Sequence, residues 1–212
     1  LLTMNDTIDA AATSLGEYTV VIDAGHGGID GGTSAADGTP EKTLNLQIAE
    51  KLRLMLDAMG VKTVMTRSDD DSIHDPSATT IRQKKISDIK NRLKIIENTD
   101  NAVFVSIHQN HFGDSKYHGT QVFYSKNDPG SKMLAEAVRV QIITNLQKDN
   151  TREVKQSGTE IYLLYHANVP AVMVECGFLS NAEETAKLKD EGYQRELAFL
   201  TALGVVEYLS GR

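Results

Sequence analysis

The chain has 212 residues, of which 40% are hydrophobic and 24% are charged, and its formal net charge is −7. This composition is that of a globular protein with one domain, or at most two. The negative charge argues against nucleic acid as a partner, because phosphate binding requires clustered Lys and Arg. No apolar run reaches the ~18 residues that a membrane span requires, and a single cysteine, Cys176, excludes an internal disulfide.

Strand-like and helix-like segments alternate along the chain. Residues 1–17 show no periodicity and are predicted to form a poorly ordered tail. Segments rich in β-branched residues predict buried strands at 18–24, 61–67, 101–108, 119–125 and 169–178. Apolar residues at helical spacing predict helices at 41–59, 86–99 (with Ser87 as its N-cap), 130–147, 181–190 and 193–209. The polar segments 68–80 and 149–160 are predicted to be surface connections.

This alternation predicts an α/β fold with a single domain over residues 18–212. The sheet is expected to be mostly parallel or mixed, with helices on both of its faces. The basic segments within residues 82–94 are interpreted as the solvated face of a helix, since they lie in a segment with helical periodicity.

The segment VVIDAGHGGIDGG, residues 20–32, places His26 among five glycines directly after a predicted strand. Glycine costs conformational entropy, so this density indicates special backbone angles or the close approach of a ligand. A phosphate-binding loop is excluded, because the segment has neither a Lys-Ser or Lys-Thr ending nor the G-x-G-x-x-G spacing. The remaining interpretation is a metal site, with His26 held at the end of the strand.

Three predicted strands end in residues that can take part in chemistry, namely His26, His108 and Glu175. In an open α/β sheet the functional crevice lies outside the carboxyl ends of the strands. Parallel strands would therefore bring these three residues to one edge of the sheet. Two histidines and one carboxylate, with a position left for water, are a common ligand set of catalytic zinc.

Two carboxylates compete for the third ligand position. Glu41 lies at the start of a predicted helix that follows the glycine-rich segment 25–33, the glycine loop. From this position its side chain can lean back toward His26. An acid in the first turn is also explained by the helix dipole, and the residues alone slightly favour this explanation. Glu175 ends the apolar run AVMV, where an unpaired carboxylate would be costly to bury. The residues alone leave this choice open.

Four segments, IDAGHGG, PEKTLNLQIAEKL, FVSIHQN and PAVMVECGFLSN, resemble in order and spacing the motifs of the zinc-dependent N-acetylmuramoyl-L-alanine amidases of the third amidase family. The likeness extends over nearly the whole chain, from about Tyr18 to Leu209. The segments RQKKISDIKNRLKII and SKYHGTQVFYS further resemble the sporulation and germination subgroup. One departure is His111, where the family commonly has a small residue.

The resemblance implies a peptidoglycan hydrolase that uses zinc-activated water to cleave the amide bond between N-acetylmuramic acid and the L-alanine of the stem peptide. It implies one zinc ion per chain, bound by His26, Glu41 and His108, with Glu175 as the catalytic acid/base. Residues 18–212 would then be the amidase catalytic domain. The resemblance also implies action outside the cytoplasm, in the cell wall, periplasm or spore envelope, and leaves an accessory or regulatory protein open.

Two other functions compete with this one. A cysteine hydrolase would use Cys176 with His166, although strand alternation turns Cys176 away from Glu175. A wall-binding module without activity is disfavoured, because all four residues with implied roles are present. Asp23 is a candidate for orienting one of the histidines, and it is equally explained as a strand-end acid that caps backbone amides.

Overall fold

The structure, a computed structural model, describes residues 15–211. Its elements follow the predicted alternation of strands and helices. The strands are β1 (Thr19–Ala24), β2 (Lys62–Met65), β3 (Ala102–Asn110), β4 (Gln121–Tyr124), β5 (Lys155–Gln156) and β6 (Ala171–Phe178). The helices are α1 (Glu41–Ala58), α2 (Ile81–Glu97), α3 (Gly130–Asn145), α4 (Tyr162–His166), α5 (Ala182–Lys189) and α6 (Glu191–Ser210).

The six strands form one mixed sheet in the order β2-β1-β3-β6-β4-β5. Every neighbouring pair is parallel except β4 and β6, which run antiparallel. The three central strands β1, β3 and β6 are apolar because both of their faces are covered. The single α/β domain with a mixed central sheet and flanking helices is therefore confirmed.

The two faces of the sheet are covered unequally. One face packs against α1, α3 and α6, and this side holds the larger core, with Ile48, Val105 and Val174 among its fully buried residues. The other face is covered mainly by α2 and the short α4, and its core is small. Because this cover is thin, the second face stays open at the carboxyl ends of β1, β3 and β6.

The prediction for the second helix was wrong at its N-terminus. Helix α2 begins at Ile81, and its N-cap is Thr80, whose side chain accepts a hydrogen bond from Gln83 N. The Gln83 side chain in turn accepts from Thr80 N, and this capping box defines the start of the helix. Ser87 is not a cap, because its hydroxyl accepts from Asp75 N in the preceding loop.

Two further predictions concern segments at the borders of the fold. The polar connection at 149–160 contains the two-residue strand β5, which extends the sheet beyond β4. The predicted tail, residues 1–17, falls mainly on residues 1–14, which lie outside the described residues, and it stays a prediction. Across residues 15–211, no helix combines the length and apolar character that crossing a bilayer demands.

Candidate active site

A cleft of about 320 Å³ opens at the carboxyl end of the thinly covered sheet face. Its floor is formed by adjacent strands, since His108 of β3 lies opposite Glu175 of β6 and Gly25 N donates to Ile107 O of β3. Its walls come from α2 and from the segment that leads into α4. The wall residues include Lys85, Asp88, Ile89, Arg92, Ile161 and Leu163.

The glycine loop after β1 carries His26 into this cleft and leaves room for its neighbours. His26 has a φ of 62°, in the left-handed region, and the two glycines after it also have positive φ. A Cβ atom on Gly25 would lie 2.1 Å from His108 Nε2. A Cβ atom on Gly32 would lie 2.5 Å from Glu41 Oε2. Glycine is therefore required at both positions for these side chains to approach the loop.

Helix α1 begins at Glu41 against the same loop. The first backbone N–H groups of a helix have no partner within it. Here Glu41 N donates to Thr33 O at 2.9 Å, and Lys42 N donates to Gly31 O at 3.2 Å. These bonds fix the first turn of α1 on the glycine loop, so the Glu41 side chain points back toward His26.

His26 and His108 line the cleft, and the buried Glu41 converges with them at its edge. Glu41 Oε2 lies 3.3 Å from His26 Nε2, and Glu41 Oε1 lies 2.9 Å from His108 Nδ1. One nitrogen or oxygen from each residue lies within 4.8 Å of the others. The structure thus brings together the two histidines and one of the two candidate carboxylates.

The carboxylate of Glu41 is held by backbone and amide donors as well as by the histidines. It is only 3% exposed, and it accepts from Thr33 N at 2.9 Å, Gln109 N at 3.1 Å and Asn45 Nδ2 at 3.2 Å. Burial opposes ionisation, but the hydrogen bonds and charges of His108 and His26 outweigh it and hold the pKa of Glu41 well below its usual range. Glu41 is therefore an ionised group with a fixed orientation.

Asp30 orients His26, a role that had been considered for Asp23. Asp30 Oδ2 lies 2.9 Å from His26 Nδ1, and Asp30 Oδ1 pairs with Lys85 Nζ at 2.7 Å. The bond to Asp30 at Nδ1 directs Nε2 toward Glu41, where Nε2 can serve as a ligand atom when it carries no proton. Burial favours the neutral ring, but Asp30 and Glu41 outweigh it and raise the pKa of His26 to about 9.

Asp23 instead belongs to a buried network beneath the site. Its carboxylate accepts from Arg92 Nη1 at 2.6 Å, from Ser106 Oγ at 2.6 Å and from Thr66 Oγ1 at 2.8 Å. Burial alone would raise its pKa, but the charge of Arg92 and these bonds lower the pKa of Asp23 to about 2. Arg92 also donates to the carbonyls of Ala24 and His26, so the ion pair of Asp23 and Arg92 supports the glycine loop from below.

Glu175 lines the same cleft, and one oxygen of its carboxylate is not bonded to the protein. Its Oε2 atom is buried and, within the described part of the chain, has no hydrogen-bond partner. Burial, against the opposing charge of His108, raises the pKa of Glu175 to about 7. A carboxyl group with this pKa can accept and release a proton near neutral pH.

Cys176 and the remaining candidate histidines lie apart from this cluster. Cys176 is fully buried in the larger core, and burial raises the pKa of its thiol, which makes it a poor nucleophile. His166 is exposed on α4, where its ring contacts Tyr162 and Tyr165. His111, the departure from the family pattern, is also exposed.

The donor set fits zinc. Two imidazoles and one carboxylate on three different elements are the ligands of many catalytic zinc sites. Within residues 15–211, His26, Glu41 and His108 are the one group of three such side chains close enough to share an ion. Each oxygen of Glu41 faces a different histidine, so the carboxylate lies between the two imidazoles.

The sequence interpretation had missed the residues that support the ligands. Asp30 could have been found, since an acid four residues after His26 in a turn-rich loop can reach back to the ring. Arg67 and Arg92 could not, because their contacts with the loop depend on how β2 and α2 pack against it. In the sequence Arg67 is an ordinary charged residue at the end of a predicted strand, and Arg92 is one within a predicted helix.

Comparison with known proteins agrees with this geometry. Residues 20–207 match the family model of third-family N-acetylmuramoyl-L-alanine amidases. A germination-specific amidase of Bacillus subtilis is 29% identical, over 97% of this chain and 86% of its own length.

Two solved structures are similar over nearly their whole length. The CwlD amidase from Clostridioides difficile, solved in complex with the GerS lipoprotein, has 43% identity and a TM-score of 0.88 over 92% of this chain and 99% of that one. The catalytic domain of CwlV from Bacillus (Paenibacillus) polymyxa has 35% identity and a TM-score of 0.75, with the same coverage. From these matches, the chain belongs to the third family of N-acetylmuramoyl-L-alanine amidases and resembles its germination subgroup.

Proposed function

We propose that this amidase hydrolyses the bond between N-acetylmuramic acid and L-alanine in peptidoglycan with the aid of one zinc ion. The amidase activity follows from family membership. The observation that supports the zinc-dependent mechanism is the meeting of His26, Glu41 and His108 beside a cleft that is also lined by Glu175, whose Oε2 atom has no hydrogen-bond partner among the described residues.

His26, Glu41 and His108 would hold the ion. Asp30 supports this assignment, because its bond to His26 Nδ1 leaves Nε2 available. Glu41 would contribute the negative charge of the site, and its backbone donors keep it in place. Zinc, when bound, supplies Lewis-acid chemistry, which lowers the pKa of a water molecule to about 7 and polarises a carbonyl group.

Glu175 would act as the catalytic acid/base. It would accept a proton from water as the water oxygen bonds to the lactyl carbonyl carbon of muramic acid. It would then return the proton to the alanine nitrogen as the carbon–nitrogen bond breaks. The products are the lactyl carboxylate and the free amino group of L-alanine. The pKa of about 7 supports a group that performs both transfers.

We also propose that the protein acts outside the cytoplasm, on the cell wall or spore envelope. The support is the similarity to a germination-specific amidase and to further cell wall amidases. The CwlD structure contains a lipoprotein, which supports an accessory protein for this chain as well.

The two carboxylates are distinguished by metal binding. Glu175→Gln should retain zinc and lose roughly 10²- to 10⁴-fold in rate, because a near-isosteric amide cannot move the proton. Glu41→Gln should bind zinc weakly, because a neutral ligand replaces an anionic one, and excess zinc should partly restore its activity. The measurement is peptidoglycan hydrolysis with zinc titrated into each variant, alongside zinc content. Rescue of the Glu175 variant and not of the Glu41 variant would reverse the two roles.

Cys176→Ala should leave hydrolysis substantially intact, because the thiol lies in the core on the far side of β6. The lost packing should reduce the free energy of unfolding by about 1 to 3 kcal/mol. Activity and denaturant unfolding of the same preparation test both statements. A folded but inactive Cys176→Ala protein would favour a cysteine hydrolase over the zinc mechanism.

Gly25→Ala should weaken zinc binding, because the added Cβ would lie 2.1 Å from His108 Nε2 and must displace that ring. We expect a loss of at least about 10-fold in affinity, the scale seen when ligand orientation is disturbed. Gly31→Ala is the matched control in the same loop, since its nearest atom, Pro40 Cβ, is 3.9 Å away. Competition with a zinc chelator gives both affinities. Equal affinities for the two variants would refute the packing argument.

A further inference from the structure

Arg67 is a buried cation whose contacts are unusual for a guanidinium group. It is only 4% exposed, and among the described residues no carboxylate lies within salt-bridge distance of it, although the charges of Asp23, Asp70 and Asp88 are near enough to favour its ionised form. Its donors all go to backbone carbonyls, namely Ala24 O, Gly25 O, Lys42 O and Asp69 O, at 2.7 to 3.1 Å. Burial and the nearby charge of Arg92 lower its pKa, so the ionised form is held at a cost.

The carbonyls that Arg67 contacts flank two of the proposed ligands. Gly25 directly precedes His26, and Lys42 directly follows Glu41. A single nitrogen, Nη2, donates to both, at 3.1 Å to Gly25 O and at 2.8 Å to Lys42 O. One rigid group therefore joins the end of β1 to the first turn of α1.

The glycine loop lies close against this guanidinium group. A Cβ atom on Gly27 would come within 3.0 Å of Arg67 Nε and Cδ. Lys42 reinforces the same junction, since its Nζ donates to Gly28 O at 2.7 Å and to Asp70 Oδ2 at 2.8 Å. The loop after β2 thus packs against both the glycine loop and the start of α1.

We propose that Arg67 is a positioning residue that sets the separation of His26 and Glu41 by holding the carbonyls of Gly25 and Lys42. Its planar fork is suited to this, because its five N–H groups point in fixed directions, whereas lysine has three donors on one nitrogen atom and cannot bond all four carbonyls at once. The inference rests on the proposed zinc site, since it concerns how two ligands of that site are arranged.

The test compares Arg67→Lys, which keeps the charge, and Arg67→Met, which removes it, with Arg139→Lys as the control. Arg139 is partly buried and, like Arg67, donates from Nε to a backbone carbonyl, that of Arg152, but it lies on α3 away from the cleft. Zinc dissociation constants are measured by chelator competition, and melting temperatures are measured on metal-free protein. Both Arg67 variants should bind zinc about 10- to 100-fold more weakly, and Arg139→Lys should bind as the unaltered protein does.

The outcomes separate this inference from the proposed function. Folded Arg67 variants with an unchanged zinc dissociation constant would overturn the positioning role. Lower melting temperatures without weaker zinc binding would show that Arg67 is only structural. Failure of both Arg67 variants to fold, while Arg139→Lys folds, would also overturn it. An unaltered protein that binds no zinc would instead refute the proposed function itself. Restoration of Arg67→Lys hydrolysis by excess zinc would support the positioning role.

Discussion

The buried carboxylate of Glu41, held between two imidazoles, is the interaction on which the rest of the site depends. An ionised carboxylate in a nearly water-free position is expensive unless charged and hydrogen-bonding partners surround it. His26, His108 and three N–H donors meet that requirement here. Because the partners come from the glycine loop, β3 and α1, the position of one side chain fixes the relative placement of three elements.

The unequal cover of the sheet turns this cluster into a cleft. The side with α1, α3 and α6 is a closed core and takes up Cys176, while the side with α2 and α4 leaves the carboxyl ends of β3 and β6 accessible. Alternation along β6 then separates the two neighbours, with Glu175 toward the cleft and Cys176 toward the core. Glu175 and Cys176 are adjacent in the chain, but one faces the cleft and the other the core. Burial raises the pKa of both side chains.

Much of this could be predicted from the sequence, because the relevant signals are local. Strands that end in His26, His108 and Glu175 could be placed at one sheet edge from their apolar character and the parallel alternation. The choice between Glu41 and Glu175 could not be made from the residues alone, since it depends on how the first turn of α1 docks on Gly31 and Thr33. Contacts across the fold, such as those of Arg67 and Arg92, leave no local pattern. The start of α2 was misjudged because the capping box at Thr80 lies outside the apolar periodicity.

The most direct test of the zinc-dependent mechanism is the identity of the bond that the protein cuts and its dependence on metal. Purified protein is incubated with peptidoglycan, with and without a zinc chelator, and the products are identified by mass spectrometry. The account predicts that the products are stem peptides with a free L-alanine amino terminus and intact glycan strands. It also predicts that the reaction stops when the chelator is added and returns when zinc is restored. Cleavage at another bond, or cleavage that persists with chelator and stops on thiol alkylation, would contradict it.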